Sequence, residues 1–274
     1  MLWESLTASQ FEQAVKDTSG VCILPIGVVE KHGNHLPLGT DMYVSTQVAI
    51  AAAAQEKAIV FPYYFMGQIA EARHVPGTIC VSHKLMMEAL REICDEIARN
   101  GLKKILILNG HGGNNHFLPF FAQEQPRLDR DYTVYIRNAG NLSSAQREAL
   151  IKKVGTDKWG EHAGFAETAM IMHLHPHLVH PKAQPMEEGV SLNRLPAMAE
   201  QRIFTGFNWY GDFPHHFAGD FEKSTPAIGK ILFDAAVENT VKAIKTIKDD
   251  NISPKLTQEY IAYGNAPQAH ITHK

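Results

Sequence analysis

Near the start of the chain, an apolar segment runs directly into a cluster of metal-binding side chains, and this feature most limits the possible folds. Residues 21–29 are almost all apolar, which predicts a buried β-strand, and Glu30, His32 and Asp41 follow them. Because alternate strand residues point to one side, we expect Glu30 and His32 to aim at one point, to which Asp41 returns from the loop. Carboxylates and imidazoles bind zinc, manganese and iron, so this segment predicts a metal-dependent hydrolase.

Two further clusters of the same kind follow along the chain. A predicted strand at 104–108 leads into Asn109-Gly-His111-Gly-Gly-Asn114, and the third cluster contains His162 and Glu167. Predicted strands and helices alternate between the clusters, which is typical of a largely parallel sheet covered on both faces. In such sheets ligands bind beyond the carboxyl ends of the strands, so we expect the clusters to share one crevice.

The predicted elements are regular as far as residue 176. Predicted helices cover 7–16, 42–57, 82–100 and 115–124, with another from 143, and predicted strands cover 21–29, 58–62, 104–108 and 133–137. A helix starting near Ala163 would carry Glu167 in its second turn, pointing into the crevice, with His162 overhanging it. Residues 182–225, which include Trp209 and His216, are irregular and predict a lid or a subunit contact. A last helix at 227–248 precedes a polar C-terminal tail at 251–274.

Composition and charge exclude several classes of protein. A chain of 274 residues with 45% hydrophobic content can bury one large core, so we expect a single domain over 1–274. The net charge of −3 and the absence of a Lys/Arg block argue against nucleic acid and favour a small-molecule substrate. No apolar stretch is long enough to span a membrane, and the first residues lack a signal peptide, so we expect a cytoplasmic protein. The three cysteines form no Cys-x-x-Cys pair and are expected to be reduced structural thiols.

Each cluster also has a simpler interpretation. Asp41 could merely cap the helix that follows it, and Glu167 could be an acid favoured in a first helical turn. The turn at 110–113 lies between a strand and a helix and could cradle a phosphate, although it matches neither the dinucleotide fingerprint nor a P-loop. The histidines at 173, 175, 177 and 180 resemble a metal-binding run, but they follow apolar helix positions, and we interpret them as core and surface residues.

Three segments together resemble the signature segments of the creatininase (creatinine amidohydrolase) family. They are Glu30-Lys-His32-Gly-Asn-His35-Leu-Pro-Leu-Gly-Thr-Asp41, Asn109-Gly-His111-Gly-Gly-Asn114 and His162-Ala-Gly-Phe-Ala-Glu167-Thr168, and His74-Val-Pro-Gly-Thr78 fits as well. The resemblance extends in order over residues 20–175. It implies a single-domain α/β fold, a three-layer αβα sandwich with a mainly parallel sheet. It also implies two divalent metal ions per chain, zinc or manganese with iron as a further option, and a homo-oligomer, commonly a homohexamer.

The resemblance assigns metal ligands residue by residue. Glu30, Asp41 and His111 resemble the ligands of one metal, while His32 and a bridging Asp41 resemble ligands of the other. Creatininases carry a glutamate two residues after the histidine that matches His111, where this chain has Gly113. Glu167 is therefore the candidate for the missing carboxylate, either as a ligand or as a catalytic group.

The same resemblance suggests a catalytic residue and substrate contacts. His162 matches the family histidine beside the scissile bond. His35, His74, Gly112 and Trp159 are candidate substrate-binding residues. The aromatic side chains that hold creatinine in creatininases are otherwise not clearly matched, so creatinine itself is not the expected substrate.

We therefore expect an amidohydrolase that cleaves a C–N bond of a small cyclic amide or formamide. A metal-bridging hydroxide would attack, and His162 would donate a proton to the leaving nitrogen. Related branches of the family act on peptide precursors or cyclic keto-sugars, so a keto-sugar hydrolase on the same scaffold is one alternative. A non-catalytic metal-binding protein, in which Gly113 marks a lost second metal, is another.

Overall fold

The fold is built around a four-stranded parallel sheet. A computed structural model describes residues 1–155, 162–183 and 189–267. The strands are β1 (Val21–Ile26), β2 (Ile59–Val60), β3 (Lys104–Asn109) and β4 (Thr133–Asn138), in the order β2-β1-β3-β4. The ends of three strands lie side by side, because Ile26 pairs with Asn109 and Asn109 with Asn138. The loops that leave these strands therefore start from one edge of the sheet.

Ten α-helices are described. They are α1 (Ala8–Asp17), α2 (Thr40–Gln55), α3 (His83–Arg99), α4 (Asn114–Glu124), α5 (Ser144–Val154), α6 (Phe165–Leu174), α7 (Pro196–Glu200), α8 (Asn208–Asp212), α9 (Pro226–Asp249) and α10 (Ser253–Asn265). The helix α1 begins with a capping box between Thr7 and Gln10. Ser82 caps the N-terminus of α3, as the sequence predicts. Short 3-10 helices cover Trp3–Ser5, Ala70–Ala72, Gln125–Leu128 and Pro176–Leu178.

Helices cover both faces of the sheet, which gives the predicted three layers. Alternate strand residues point to opposite faces, so Val21 and Ile23 pack on one side while Cys22 and Leu24 pack on the other. The first side is covered by α2, α6 and α9, and the second by α1, α3 and α4. The prediction of a single α/β domain with a mainly parallel sheet is confirmed. In the described ranges, no helix combines the length and the apolar character needed to cross a bilayer.

The strand that leads to the first cluster ends earlier than predicted. It stops at Ile26 instead of residue 29, because the backbone turns away from the sheet: Gly27 N–H donates to Tyr64 O at 3.0 Å, and Glu30 N–H donates to Leu38 O at 3.1 Å. Glu30 and His32 therefore lie in the β1–α2 loop. Strand alternation was the wrong reason for placing these two side chains together.

Two other parts of the chain differ in detail from the sequence-based expectation. The polar tail predicted from 251 contains a helix, α10, whose first backbone amides are bonded by Asp250, with distances of 2.8 Å from Ile252 N and 3.0 Å from Ser253 N. The irregular segment at 182–225 contains the one-turn helices α7 and α8. It returns to the rest of the fold through a bridge between Ala218 and His162.

Candidate active site

Four segments bring the candidate ligands together at the carboxyl edge of the sheet. Glu30 and His32 come from the β1–α2 loop, Asp41 from the first turn of α2, His111 from the β3–α4 loop and Glu167 from the first turn of α6. The first four are buried, whereas the Glu167 side chain is 33% exposed. Three sets of potential ligands are formed: Glu30, Asp41 and His111; His32, Asp41 and Glu167; and Glu30, His32 and His162.

The first set has the donor atoms of a metal site. His111 Nδ1 lies 2.8 Å from Glu30 Oε1 and 3.0 Å from Asp41 Oδ2. His111 Nε2 donates to Gln68 O at 2.8 Å, so Nδ1 is the nitrogen available for a ligand. Both carboxylate oxygens are buried, and among the described residues neither has a hydrogen-bond partner other than this nitrogen. Because buried polar atoms are almost always paired, these three atoms fit a divalent cation.

The second set shares Asp41 with the first. His32 Nε2 lies 3.1 Å from Asp41 Oδ1 and 3.8 Å from Glu167 Oε2. His32 Nδ1 is 3.3 Å from Glu30 O, to which it can donate, so Nε2 is the nitrogen available for a ligand. Asp41 thus presents one oxygen to each set, which is the arrangement of a bridging carboxylate. The α6 helix starts at Phe165, two residues later than predicted, and Glu167 still reaches the cluster.

The charges of this cluster shift its pKa values in the metal-free protein. Burial lowers the pKa of His32, but the carboxylates of Asp41, Glu167 and Glu30 outweigh it and raise the pKa to about 10. Burial raises the pKa of Glu167 to about 7, assisted by the neighbouring carboxylates and opposed by His32. In the metal-free cluster, bound protons balance part of the carboxylate charge that a cation would otherwise balance. Metal binding would therefore release protons.

His162 belongs to the third set but is held differently. Its Nε2 donates to Lys31 O at 2.7 Å, so that nitrogen carries a proton and is not free to bind a metal. Its ring centroid lies 4.3 Å from that of His32. Burial, followed by the charge of His32, lowers the pKa of His162 to about 3, so the imidazole is neutral. It must therefore gain a proton during a reaction before it can donate one, which modifies the expected role.

Gly113 occupies a position that cannot hold a side chain without rearrangement. A Cβ there would lie 2.5 Å from His111 Nε2 and 2.7 Å from Gln68 O, the two atoms of the hydrogen bond that orients His111. A glutamate at 113 would therefore displace a candidate ligand. Glu167 lies where it can complete the second set instead.

The predicted substrate contacts have different outcomes. His35 is 3% exposed, its Nε2 lies 2.9 Å from Thr168 Oγ1, and its ring stacks on Phe221. Thr168 Oγ1 donates to Ala163 O, so His35 donates to it and joins the loop to α6. Substrate contact by His35 stays a prediction; in this structure the ring is enclosed by these partners. Trp159 lies outside the described residues.

The other two predicted contacts lie near the surface. His74 Nε2 donates to Pro214 O at 2.7 Å and its ring packs edge-on against Tyr210, so it anchors the irregular segment. Gly112 is exposed, and a Cβ there would meet nothing within 4 Å, which leaves space beside it.

The phosphate alternative and the histidine run find no support in the geometry. The amides of Asn114 and Asn115, at the start of α4, already donate to His111 O and Gly112 O. A phosphate would have to break these bonds. Of the histidines at 173–180, His173 packs against Phe233 and His175 against Tyr43, and none joins a described ligand set.

Two residues of the irregular segment reach the site and had no predicted role. His216 is 2% exposed and its Nε2 contacts Glu30 Oε2, while Trp209 Nε1 donates to His216 Nδ1 at 2.9 Å. His216 and Glu30 are 186 positions apart. The only sequence signal was the presence of polar aromatic residues in a long irregular segment, which does not specify a partner.

A small cavity adjoins the ligands on the α6 side. Its volume is about 120 Å³, and both Asp41 and Glu167 line it. The other lining residues are small or apolar, apart from Thr40: Val44, Gly110, Ala139, Gly140, Ala166, Met170 and Leu232. No lysine or arginine is among the described residues of its wall, so the cavity suits a small group without negative charge.

Sequence comparison links the chain to several hydrolases. The chain is 27% identical over 188 residues to a creatinine amidohydrolase of Pseudomonas putida, covering 64% of this chain and 72% of that protein. It is 27% identical over 258 residues to a mycofactocin precursor peptide peptidase of Mycobacterium tuberculosis, covering 88% and 89%. A shorter match, 29% over 110 residues, covers 39% of this chain and 40% of a 2-amino-5-formylamino-6-ribosylaminopyrimidin-4(3H)-one 5'-monophosphate deformylase of Methanococcus voltae.

Solved structures share the fold. A creatininase described with manganese superposes with a TM-score of 0.75 at 20% identity, covering 91% of this chain and 99% of the other. A creatininase variant of Zn–Zn type has a TM-score of 0.71 at 21% identity, with 91% and 98% covered. The family model for creatinine amidohydrolase matches residues 4–244. With its three-layer fold and that match over most of its length, the chain belongs to the creatininase family.

Proposed function

We propose that this protein is a metal-dependent amidohydrolase that cleaves a C–N bond in a small, uncharged cyclic amide or formamide. The observation that carries the proposal is the convergence of two ligand sets on Asp41, with buried oxygens of Glu30 and Asp41 that face the ring nitrogen of a third candidate ligand, His111. Buried carboxylate and imidazole donors that point at one another are suited to a divalent cation.

Two divalent cations fit the ligand sets in number and chemistry. Glu30, Asp41 and His111 would hold one, and His32, Asp41 and Glu167 the other, with only nitrogen and oxygen donors. The manganese and Zn–Zn forms among the solved creatininases support the same metals here. When bound, the cations would supply an ionised water at neutral pH and polarise the carbonyl oxygen of the substrate.

The remaining chemistry falls to protein side chains. Water adds to the carbonyl carbon, the C–N bond breaks, and the leaving nitrogen takes one proton. His162, whose ring centroid lies 4.3 Å from that of His32, would carry a proton from the attacking water to the leaving nitrogen. The bond from its Nε2 to Lys31 O fixes the ring during this exchange.

The cavity beside Asp41 and Glu167 limits the size and the charge of the substrate. It is small, and the described residues of its wall include no lysine or arginine to pair with a phosphate, in contrast to the 5'-monophosphate in the name of the deformylase relative. Its apolar walls favour a compact group such as a lactam ring or a formyl group.

A metal count on matched histidine variants tests the proposal. Elemental analysis of the purified protein should give two zinc or manganese ions per chain, and His111→Ala should lose metal and turnover together. His116→Ala, an exposed change five residues away in α4, should lose neither. An H111A protein with full metal content and activity would remove the ligand assignment.

A substrate panel separates the remaining functions. Lactams, formamides and keto-inositols are assayed with zinc or manganese, with a phosphorylated formamide added to test the cavity argument. Turnover restricted to keto-inositols would favour the keto-sugar hydrolase. Preference for the phosphorylated compound would contradict the proposed substrate class. Full metal content without turnover of any compound would favour a non-catalytic protein.

A further inference from the structure

A chain of hydrogen bonds connects the irregular segment to the metal-binding cluster. Trp209, in α8, donates from its indole Nε1 to His216 Nδ1 at 2.9 Å, and His216 Nε2 contacts Glu30 Oε2. Both His216 and Glu30 are buried, at 2% and 0% exposed. The contact therefore lies in a region where water does not compete for the hydrogen bond.

The indole fixes the tautomer of His216. An indole N–H can only donate, so His216 Nδ1 must present its lone pair to Trp209. A neutral imidazole then carries its proton on Nε2, and that nitrogen donates to Glu30. With its proton in this place, His216 Nε2 is not a metal ligand, which agrees with the absence of His216 from the described ligand sets.

The two oxygens of the Glu30 carboxylate have different partners. Oε2 accepts from His216, while Oε1 faces His111 Nδ1, a candidate ligand of the same set, at 2.8 Å. We propose that Trp209 and His216 are positioning residues that hold the Glu30 carboxylate with Oε1 directed to the metal. The proposal rests on the proposed function only in taking Glu30 as a ligand.

The backbone around His216 is arranged to hold this contact. His216 has a φ of 57°, a left-handed conformation that is uncommon for a residue other than glycine. Its N–H donates to Phe213 O at 3.0 Å and its carbonyl accepts from Gly33 at 3.4 Å, while Ala218 forms paired backbone bonds with His162. The contacts that secure this unusual backbone run to the β1–α2 loop and to His162, and such a conformation is typical of a functional position.

Substitutions that separate the hydrogen bonds from the packing test the proposal. Trp209→Phe keeps one aromatic ring and removes the N–H together with part of the indole, and His216→Ala removes the donor to Glu30. We expect each to weaken Mn²⁺ or Zn²⁺ binding about 10–100-fold, measured by competition with a chelator of known affinity. His216→Gln, which can still donate to Glu30, should recover part of this loss. His215→Gln, an exposed neighbouring change, should leave affinity unaltered.

A spectroscopic readout keeps this test independent of catalysis. In metal-free protein labelled with ¹⁵N histidine, His216 should be the Nε2–H tautomer, and W209F should shift it to a mixture. Folded W209F and H216A proteins with unchanged metal affinity would overturn the proposal, as would an Nδ1–H tautomer in the parent protein. A parent protein that binds no metal but shows the Nε2–H tautomer would contradict the proposed function and, with it, the positioning of Glu30 for a metal.

Discussion

Replacing Gly113 by alanine should damage both the fold and the metal site. The added Cβ would lie 2.5 Å from His111 Nε2 and 2.7 Å from Gln68 O, closer than side-chain carbons normally approach. The backbone φ of −60° suits alanine, so the effect is steric. Overpacking of this kind costs about 1–3 kcal/mol. Displacing the partner of a metal-binding histidine weakens metal binding about 10–100-fold.

The neighbouring glycine gives a matched control. A Cβ on Gly112 would meet nothing within 4 Å, so Gly112→Ala should leave stability and metal affinity unchanged. Urea unfolding of the metal-free proteins measures the first effect, and a chelator competition measures the second. The melting temperature of G113A should fall by about 2–4 °C for each kcal/mol lost. Equal behaviour of the two variants would refute the steric argument.

Three further changes test the core, a helix end and a pH-dependent cap. Leu90→Ala, at a fully buried site in α3, should cost about 2–5 kcal/mol by urea unfolding, whereas Leu85→Ala, 47% exposed, should cost little. Lys104 Nζ donates to Ile247 O at 2.8 Å and to Lys248 O at 2.7 Å, near the end of α9. Lys104→Met should therefore reduce the free energy of unfolding by about 1–3 kcal/mol, while Lys245→Met, an exposed change, should not. Hydrogen bonds, led by those from Ser253, lower the pKa of Asp250 in the folded protein. The ionised carboxylate therefore stabilises the fold at pH values above its pKa in the unfolded chain. This stabilisation is lost as the pH falls through its pKa in the folded protein. Asp250→Asn should therefore reduce the free energy of unfolding at pH 7, and the difference from the parent should shrink in acid; a difference independent of pH would contradict this.

The parts of the fold that follow from local pattern could be predicted from the sequence. The continuous apolar run before Asn109 predicts β3 almost to the residue, because a strand buried on both faces needs such a run. The Ser82 cap and the apolar spacing of the next helix likewise predict α3. For Asp41 the sequence allowed either a helix-capping role or a ligand role. The residue lies in the first turn of α2 and still directs both oxygens at imidazoles.

Contacts made across long stretches of chain could not be predicted in this way. The bond between His216 and Glu30 depends on how an irregular segment folds back, and no periodic pattern encodes that path. The end of β1 was missed because its apolar pattern continues past Ile26, while backbone bonds to other loops redirect the chain. The helix α10 was missed because its polar composition resembles a tail, although Asp250 and Tyr135 tie its start to the sheet.

Because Asp41 is shared between two candidate ligand sets, cations bound there would join distant parts of the native fold. The candidate ligands are spread from residue 30 to residue 167, so no short piece of the unfolded chain can reproduce the site. A ligand that binds only the native state at 100 times its dissociation constant stabilises that state by about 2.7 kcal/mol. Cation occupancy would therefore report whether the loops of β1 and β3 and the start of α6 are correctly assembled, and chelation would loosen all of them together.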